Sequence, residues 1–574
     1  MEENQQYKIS VFDKQYKSYE YTNIYTNCVV KQDEDGLDPA QAKLFSQDIF
    51  VKDSKDKIHI LESPLRASSY IAGVLIIKDG RTYGRTKNQK RLLYKCIPDN
   101  NQYPAFLIPY EIKHGFSKSI ENKYVLFKFS EWENNEKHPH GILTEVLGDV
   151  GCLKTYYEYR VYCKNLFIPM REFTQIVSSK TRENLDMGLI KNKYNVRQNT
   201  PEYVFTIDPE HTTDFDDALS ITELYPNAVK ISVHISNVAI ILDHFELWKY
   251  ISNRTSTIYL PDQPRHMLPS SLSQKTCSLI QGNERIVLSM EMCFNKETKE
   301  VYGVGFKNNI VSVSRNYVYE EKELLENEFY RMLYDTTRQI DSSVSNSHEL
   351  VAYWMLRMNS ECGKHLWKHK VGIYKTLTVN KNKEIPEGFS ENVSRTICNW
   401  NNTISKYEGF GINLKHDLMN VDNYCHITSP IRRIVDIVNQ LLFMKYVLSD
   451  DLKRSSMSNF SEDADNFCNK WMYKIEFINV NMKNIRKIQI DCGLLDRIEK
   501  NPFILNHTYQ GVVFDRKHKH QMVHSHMVFI EELKILLQFN TTQTLENYQT
   551  YNFKLFVFEC EDNIKRKIRL QLVE

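Results

Sequence analysis

The sequence lacks any run of about 18 apolar residues, and its first stretch, MEENQQYK, is polar. It therefore predicts neither a transmembrane helix nor a secretory signal, and we expect a cytoplasmic protein with no membrane partner. The twelve cysteines never form a CxxC pair, which indicates reduced structural thiols and excludes a zinc ribbon. Neither sign of charge predominates, because the chain has 74 Lys and Arg and 72 Asp and Glu. With a net charge of +2, any contact with nucleic acid needs a local basic patch.

No internal repeat of about 20 to 50 residues is visible, which excludes a solenoid. The length of 574 residues allows about four domains of roughly 150 residues. Short apolar runs with turn signals, such as IAGVLII at 71–77, predict small β-barrels up to about residue 165. Strand patterns then mix with helical spacing, as at 347–368 and 463–495, and short alternating runs return after Asn501-Pro502. We therefore predict an α+β multidomain protein with regions at 1–70, 71–165, 166–500 and 501–574.

A basic segment lies between Lys78 and Asn100. It holds seven Lys or Arg and two Asp, a local charge of +5, and Tyr83 and Tyr94 lie among them. Cations that bind phosphates and exposed rings that stack on bases are what a barrel needs to bind a single nucleic-acid strand. The segment predicts such a surface, with Arg81 and Arg85 as RNA-binding residues. The alternative is a solvated charged edge that only prevents strand aggregation.

Four aspartates lie within ten residues in the segment TIDPEHTTDFDDAL, at Asp208, Asp214, Asp216 and Asp217. Carboxylates this close together repel, so a compensating cation is expected. Mg²⁺ prefers oxygen ligands, and a pair of such ions can stabilise the attacking and leaving oxygens of a phosphodiester. An acidic solvated loop and a calcium site are the alternatives, although the segment lacks the Gly and Glu of an EF-hand loop.

The same segment resembles the signature of the RNase II / RNase R family of exoribonucleases, which includes the hydrolytic subunit of the eukaryotic exosome. Other stretches are similar to this family in the same order: RTSTIYLP at 254–261, MLPSSLS at 267–273, CSL at 277–279, YCHITSPIRR at 424–433 and YQGVV at 509–513. PHG at 139–141 and LG at 147–148 resemble the end of the family's second cold-shock barrel. The resemblance covers most of residues 70–574.

This resemblance gives the predicted regions an identity. It implies an OB-type cold-shock barrel at 71–165, an RNB α+β catalytic domain at 166–500 and a C-terminal S1-type OB barrel at 501–574. For residues 1–70, a divergent first cold-shock barrel is one interpretation.

The resemblance also assigns roles to individual residues. The family's metal-site aspartates fall on Asp208, Asp214, Asp216 and Asp217. Its aromatic clamp falls on Tyr259, whose ring could stack on any base. The arginine of its SPIR motif falls on Arg432, whose guanidinium suits a phosphate, and Arg433 is expected to contact RNA beside it. A core tyrosine and a structural salt bridge are the alternatives for Tyr259 and Arg432.

Five residues in three stretches depart from the family's pattern. Asn237 replaces the Asp of its VHIAD stretch, Ala352-Tyr353 replaces a Glu-Glu pair in a helix, and Asn439-Gln440 replaces a His-Arg pair after SPIRR. The four aspartates are present, so activity is expected. The handling of the RNA 3′ end and the length of the final product stay open.

The resemblance implies a 3′-to-5′ exoribonuclease that hydrolyses single-stranded RNA to nucleoside 5′-monophosphates with two Mg²⁺ ions, Mn²⁺ being an alternative metal. We expect a monomer, and association with an RNA-decay complex is left open. The alternatives are a catalytically weak or inactive RNA-binding protein of the same fold and a metal-dependent DNA nuclease.

A histidine-rich segment lies in the C-terminal region. Alternation would place His520, His524 and His526 on one face of a strand. No Cys or Asp lies among them, so an exposed basic hairpin that contacts RNA is preferred over a zinc site.

Overall fold

The computed structural model describes residues 5–31, 37–53, 57–112, 120–182, 185–198, 202–379, 386–412, 414–448, 460–518, 523–559 and 566–573. The chain forms two compact units. Unit 1 contains Met1–Phe167, Leu260–Asp262 and Ile488–Glu574, and unit 2 contains Ile168–Tyr259 and Gln263–Lys487. The predicted limits of the four regions stay predictions.

The first part of unit 1 is an antiparallel five-stranded sheet with the order β3-β2-β1-β4-β5. Its strands are β1 (Gln6–Val11), β2 (Tyr19–Asn23), β3 (Val29–Lys31), β4 (Ile49–Lys52) and β5 (Ile58–Glu62). Ile9, Tyr21 and Phe50 pack in its core. The interpretation of this region as a divergent cold-shock barrel stays a prediction.

A closed five-stranded barrel follows, with the order β10-β8-β7-β6-β9. Its strands are β6 (Ile71–Leu75), β7 (Leu92–Pro98), β8 (Phe106–Tyr110), β9 (Lys123–Glu131) and β10 (His140–Asp149), and α1 (Pro64–Ala67) and α2 (Leu153–Cys163) flank it. Buried Phe106, Ile108 and Phe127 fill its interior. The small barrel that the short apolar runs predict is present.

The C-terminal part of unit 1 is a five-stranded sheet with the order β25-β24-β23-β26-β27. Its strands are β23 (Thr508–His518), β24 (His524–Ile530), β25 (Ile535–Thr541), β26 (Gln549–Glu559) and β27 (Arg566–Val573). His518 is exposed, but His526 is fully buried, so the prediction of an exposed hairpin is wrong for His526. His520 lies outside the described residues.

The main sheet of unit 2 has the order β11-β18-β12-β13-β14-β17. Its strands are β11 (Arg197–Gln198), β12 (Val204–Asp208), β13 (Asp217–Tyr225), β14 (Ala228–Ser236), β17 (Glu284–Asn295) and β18 (Glu300–Val318). β18 pairs with β17 as well as β12 because it is 19 residues long. Smaller sheets contain β15 (Ile258–Tyr259) with β16 (Pro264–Arg265), and β19 (Ile373–Val379), β20 (Thr403–Gly409), β21 (Lys415–His416) and β22 (Val421–Asp422).

Helices pack against these sheets around a large apolar core that includes Trp354 and Trp471. They are α3 (Arg171–Lys180), α4 (Met187–Tyr194), α5 (Val238–His244), α6 (Lys322–Glu326), α7 (Glu328–Ile340), α8 (Ser347–Lys368), α9 (Glu391–Asn402), α10 (Ile434–Leu442), α11 (Glu462–Tyr473) and α12 (Ile475–Lys500). The predicted helix at 347–368 and the α+β fold class are confirmed. In the described ranges, no helix has the length and apolar character needed to cross a membrane.

The apolar run from Val229 to Leu242 suggests one buried strand, but the structure divides it between a strand and a helix. Strand β14 ends at Ser236, and Asn237 caps helix α5 by accepting a hydrogen bond from the Ile240 N–H at 3.2 Å. An aspartate could accept the same bond, so the departure at Asn237 preserves the cap.

The departures at Asn439 and Gln440 also have a structural use. The Asn439 side chain accepts from the Ile373 N–H and donates to the Ile373 carbonyl, both at 2.8 Å. The Gln440 side chain accepts from the Ala239 N–H at 3.1 Å and donates to the Ser236 carbonyl at 2.9 Å. These two amides fasten α10 to β19 on one side and to the β14–α5 junction on the other.

Gly363 tests the packing of α8 against the segment that precedes YCHITSPIRR. A Cβ at this position would lie 1.8 Å from the carbonyl oxygen of Asn423, so Gly363→Ala must displace backbone. We expect a loss of about 1 to 3 kcal/mol in the free energy of unfolding. Gly493→Ala in α12 is the matched control, because no atom lies within 4 Å of its Cβ and alanine favours helix by up to about 1 kcal/mol. Equal unfolding midpoints for the two variants would contradict this packing.

Candidate active site

The four predicted metal-site aspartates lie at one edge of the main sheet of unit 2. Strand β12 ends at Asp208, and its antiparallel neighbour β13 begins at Asp217. Because the two strands run in opposite directions, the end of one lies beside the start of the other. The connecting loop carries Asp214 and Asp216, so the topology brings all four to the same edge.

The CSL stretch holds this loop in place. The Ser278 hydroxyl accepts from the Phe215 N–H and donates to the Thr213 carbonyl, both at 3.0 Å. The Leu279 N–H donates to the Phe215 carbonyl at 3.0 Å. Ser278 and Leu279 therefore fix the backbone of the acidic loop at Thr213 and Phe215.

Asp216 connects the acidic loop to the SPIRR segment. Its Oδ1 accepts a hydrogen bond from the Ile431 N–H at 2.8 Å, and its Oδ2 lies 3.2 Å from the Arg432 Nε. Its own carbonyl accepts from the Ser236 N–H at 2.9 Å. The Arg432 side chain is still 44% exposed, so its guanidinium can also meet a ligand.

Burial disfavours the ionised forms of both Asp208 and Asp217. Burial, and then the charge of Asp217, raise the pKa of Asp208 to about 8. Burial likewise raises the pKa of Asp217 to about 6, against the opposing charge of Arg432. The Asp208 Oδ2 is buried, and the described residues offer it no hydrogen-bond partner. This pair favours a bound cation, because only added positive charge would let both groups ionise near neutral pH.

The described part of the chain holds no group of three His, Cys, Asp or Glu that could hold a metal ion. Two of the aspartates have other partners, since Asp216 pairs with Arg432 and Asp214 accepts from the Tyr259 hydroxyl at 3.1 Å. The unpartnered oxygen of Asp208 and its repulsion with Asp217 nevertheless fit a divalent cation. The four-aspartate metal site stays a prediction.

Tyr259 lies beside the acidic loop, in the short strand β15. Its side chain is 40% exposed, which contradicts the alternative of an ordinary core tyrosine. The neighbouring segment joins SPIRR, because the Arg432 carbonyl accepts from the Thr257 N–H at 3.0 Å and from the Ser256 hydroxyl at 2.8 Å. An exposed ring near the carboxylates is suited to stacking on a base.

Arg433 has a partner of its own. Its Nε and one terminal nitrogen each donate to a carboxylate oxygen of Asp436 at 2.8 Å, and the Asp436 side chain is fully buried. The same carboxylate accepts from the Ser429 N–H at 2.8 Å. This fork shapes the SPIRR turn, and the predicted contact of Arg433 with RNA stays a prediction.

Tyr319 is a site residue that the sequence analysis missed. Its N–H donates to the Asp208 carbonyl at 3.2 Å, and its ring stacks on His348 with centroids 3.7 Å apart. Burial, and then the charges of Asp217 and Asp208, raise the pKa of its hydroxyl. No local pattern indicates Tyr319, because only the parallel pairing of β12 with β18 brings it to Asp208.

The predicted RNA-binding segment lies in unit 1, on the closed barrel. Arg81 and Arg85 are exposed, but Lys87 pairs with Glu131 at 2.9 Å and Glu133 at 2.6 Å. Tyr94 is 4% exposed, so the expectation of an exposed ring is wrong for Tyr94. A groove of about 500 Å³ is lined by fourteen residues that include Tyr83, Arg85, Leu93, Pro109 and Ile142. Cations and partly apolar walls together suit a nucleic-acid strand.

Comparison with known families finds two domains in the chain. Residues 197–332 and 324–449 match the RNB domain, and residues 93–159 match the Dis3-like cold-shock domain 2. The chain therefore contains an RNB domain. Both RNB matches lie in the region where the acidic loop and SPIRR come together.

The proteins similar to this chain align with different shares of its sequence. It is 23% identical to ribonuclease R of Aquifex aeolicus over 498 residues, which is 72% of this chain and 67% of that protein. It is 25% identical to the exosome complex exonuclease RRP44 of Mus musculus over 282 residues, which is 47% of this chain and only 28% of RRP44. The chain thus spans about a quarter of RRP44.

Solved structures share the fold. Mycoplasma genitalium RNase R in complex with ribose-methylated single-stranded RNA matches with a TM-score of 0.69 and 15% identity, covering 99% of this chain and 100% of that one. Yeast Ssd1, a pseudonuclease, matches with a TM-score of 0.59 and 13% identity, covering 96% and 80%. The RNB fold therefore occurs with and without nuclease activity.

The raised pKa values predict a pH-dependent stability of the metal-free protein. A carboxyl whose pKa rises on folding favours the protonated form, so the fold loses stability as pH rises through the values of about 6 for Asp217 and about 8 for Asp208. Asp208→Asn stays neutral, and in EDTA its unfolding midpoint should exceed that of the wild type increasingly between these pH values. Each kcal/mol gained corresponds to roughly 2 to 4 °C.

The matched control is Asp335→Asn, which removes one exposed carboxylate from α7. It should leave the pH dependence of the midpoint as in the wild type. If Asp208→Asn behaves like this control, Asp208 does not carry the electrostatic strain.

Proposed function

We propose that the protein is a 3′-to-5′ exoribonuclease that hydrolyses single-stranded RNA to nucleoside 5′-monophosphates. The observation that carries this proposal is the junction of the two motifs, where Asp216 accepts from the Ile431 N–H and pairs with Arg432. The partly exposed guanidinium of Arg432 thus contacts one of the four aspartates. Carboxylates that hold metal ions and a cation that meets the phosphate are the parts that phosphodiester hydrolysis needs.

Each residue of the site has a role in this proposal. Asp208, Asp214, Asp216 and Asp217 would hold two Mg²⁺ ions, which supply polarisation of the phosphate and of the attacking water when bound. Arg432 would donate to the phosphate oxygens, with its orientation set by Asp216. Tyr259 would stack on a base near the cut and limit how short the strand can become.

The rest of the chain would deliver the strand. We assign residues 71–165 as the cold-shock barrel that binds single-stranded RNA through Arg81 and Arg85, 166–500 as the RNB domain and 501–574 as the S1-type barrel. A monomer acting in the cytoplasm completes the proposal. Mycoplasma genitalium RNase R, which has this fold, was solved with single-stranded RNA.

An inactive RNA-binding protein is the second candidate, because the pseudonuclease Ssd1 has the same fold. The departures from the family's pattern do not favour it. Asn237, Asn439 and Gln440 all make buried hydrogen bonds within unit 2. The four aspartates and Arg432 are all present. A binding protein gains nothing from carboxylates that repel each other.

Asp217→Asn tests the catalytic assignment. Removal of one charge from the metal site should lower the rate of degradation of 5′-labelled single-stranded RNA in Mg²⁺ by at least about a hundredfold. RNA affinity should stay similar or rise, because repulsion of the phosphates decreases. Wild-type protein in EDTA should also be inactive, and labelled DNA should not be shortened.

Asp335→Asn is again the control and should retain full activity. Wild-type protein that binds RNA but never shortens it in Mg²⁺ or Mn²⁺ would establish the inactive alternative. Undiminished degradation by Asp217→Asn would refute the assigned site.

The barrel surface is tested by the double variant Arg81→Glu/Arg85→Glu. Removal of one cation that binds a phosphate should reduce the slope of log affinity against log salt by about 0.7 for a single strand, and removal of both by about 1.4. Lys87 is left unchanged because Glu131 and Glu133 already neutralise it. The measurement is RNA affinity by fluorescence anisotropy at several salt concentrations.

The control for this surface is Lys299→Glu/Arg338→Glu, which changes net charge equally at two exposed positions of unit 2. Identical salt slopes for the control and the Arg81/Arg85 variant would place Arg81 and Arg85 outside the RNA path.

A further inference from the structure

Lys375 is a partly buried lysine in β19 that faces an aromatic ring rather than a carboxylate. It is the register partner of Tyr407 in β20, and its Nζ lies 4.4 Å from the centre of the Tyr407 ring. In the part of unit 2 that the structure describes, Lys375 makes no ion pair with Asp or Glu. A desolvated ammonium without a counter-charge is costly to retain.

Two guanidinium groups lie near this ammonium. The Asn479 side chain accepts from the Tyr407 N–H at 2.7 Å and donates to the Tyr407 carbonyl at 2.9 Å, which brings α12 against β20. Arg486 follows on the same face of α12, about two turns later. Burial, and then the charges of Arg486 and Arg433, lower the pKa of Lys375 to about 8. The charges of both guanidinium groups thus repel the Lys375 ammonium.

Two histidines complete the surroundings of Lys375. His416 in β21 lies opposite Leu377 of β19, is 5% exposed, and has an Nδ1 for which the described residues provide no partner. The His426 Nδ1 lies 2.8 Å from the Tyr407 hydroxyl. Burial, and then the charges of Arg433 and Lys375, lower the pKa of His426. These side chains add donors but no negative charge.

Near these cations, the Asp436 carboxylate forms an ion pair with Arg433, which binds both of its oxygens. Arg486 makes no ion pair within the described ranges and is exposed. The arrangement is the electrostatic opposite of the acidic loop. A phosphate oxyanion would satisfy it, because an ammonium supplies a point charge and a guanidinium a fork of donors.

We propose that Lys375, Arg486 and His416, here called the basic cluster, form a second phosphate-binding site in unit 2. The ligand is a phosphate group from one of two sources: a phosphodiester of the bound strand, or the monophosphate that cleavage would release. The identity of these sources rests on the proposed function, whereas the phosphate chemistry rests on the side chains alone.

The experiment uses the full chain in EDTA, so that binding is measured without turnover. Lys375→Met and Arg486→Met each remove one cation at similar side-chain length. Lys406→Met is the matched control, because Lys406 lies on the next strand, pairs with Glu408 at 2.8 Å, and has Thr376 rather than Lys375 as its register partner. The probes are a labelled oligoadenylate without terminal phosphates, AMP, and inorganic phosphate.

Both cluster variants should lose roughly tenfold or more in affinity for at least one phosphate probe. If the oligoadenylate is the ligand, the salt slope should also fall by about 0.7 for each cation removed. Loss confined to the oligoadenylate identifies a phosphodiester, and loss confined to AMP and inorganic phosphate identifies a released monophosphate. The Lys406→Met control should match the wild type, and Lys375→Arg should restore binding.

Stability separates this role from a structural one. Lys375→Met removes a repelled charge, so its unfolding midpoint should stay equal or rise. Unchanged affinity for all three probes would overturn the proposal, and a lowered midpoint with unchanged affinity would make Lys375 a packing residue of Tyr407. If the wild type neither binds nor degrades RNA, the proposed function fails, and the titration with inorganic phosphate still decides on the basic cluster.

Discussion

The site depends above all on the contact of Asp216 with Ile431 and Arg432. This contact joins residues 215 positions apart, and the Asp216 side chain is nearly fully buried there. The same turn holds the strand of Tyr259, because the Arg432 carbonyl accepts from Ser256 and Thr257. This junction and the hydrogen bond from Tyr259 to Asp214 bring the acidic loop, the exposed tyrosine and the guanidinium together in unit 2.

Unit 2 holds buried groups of both charges. Burial raises the pKa of Asp208 and of Asp217, and the charge of Asp217 raises that of Asp208 further. Burial and two guanidinium groups lower the pKa of Lys375. Both effects destabilise the protein in the absence of ligands, and each points to a ligand of the opposite charge. A metal-bound phosphodiester strand carries charges of both kinds.

Three residues that depart from the family's pattern, Asn237, Asn439 and Gln440, are buried amides. Asn237 caps α5, and Asn439 and Gln440 fasten α10 to the strands around it. An amide both donates and accepts, so each can satisfy two backbone groups without burying a charge. Ala352 is exposed on α8 and makes no such contribution. The structure thus gives three of the departures a packing role beside an unchanged set of aspartates.

Part of this protein was determined by local sequence. Apolar spacing sufficed for the helix at 347–368 and for the small barrel, because periodicity reports which face of an element is buried. The four aspartates were visible because they lie within ten residues, and their repulsion follows from distance along the chain alone.

Tertiary structure decided what lies around them. Tyr319 reaches Asp208 only through the pairing of β12 with β18. Lys87 forms ion pairs with Glu131 at the end of β9 and with Glu133 just after it. Such contacts join residues far apart in sequence, and no local pattern records them, because they form only when distant strands and helices pack together.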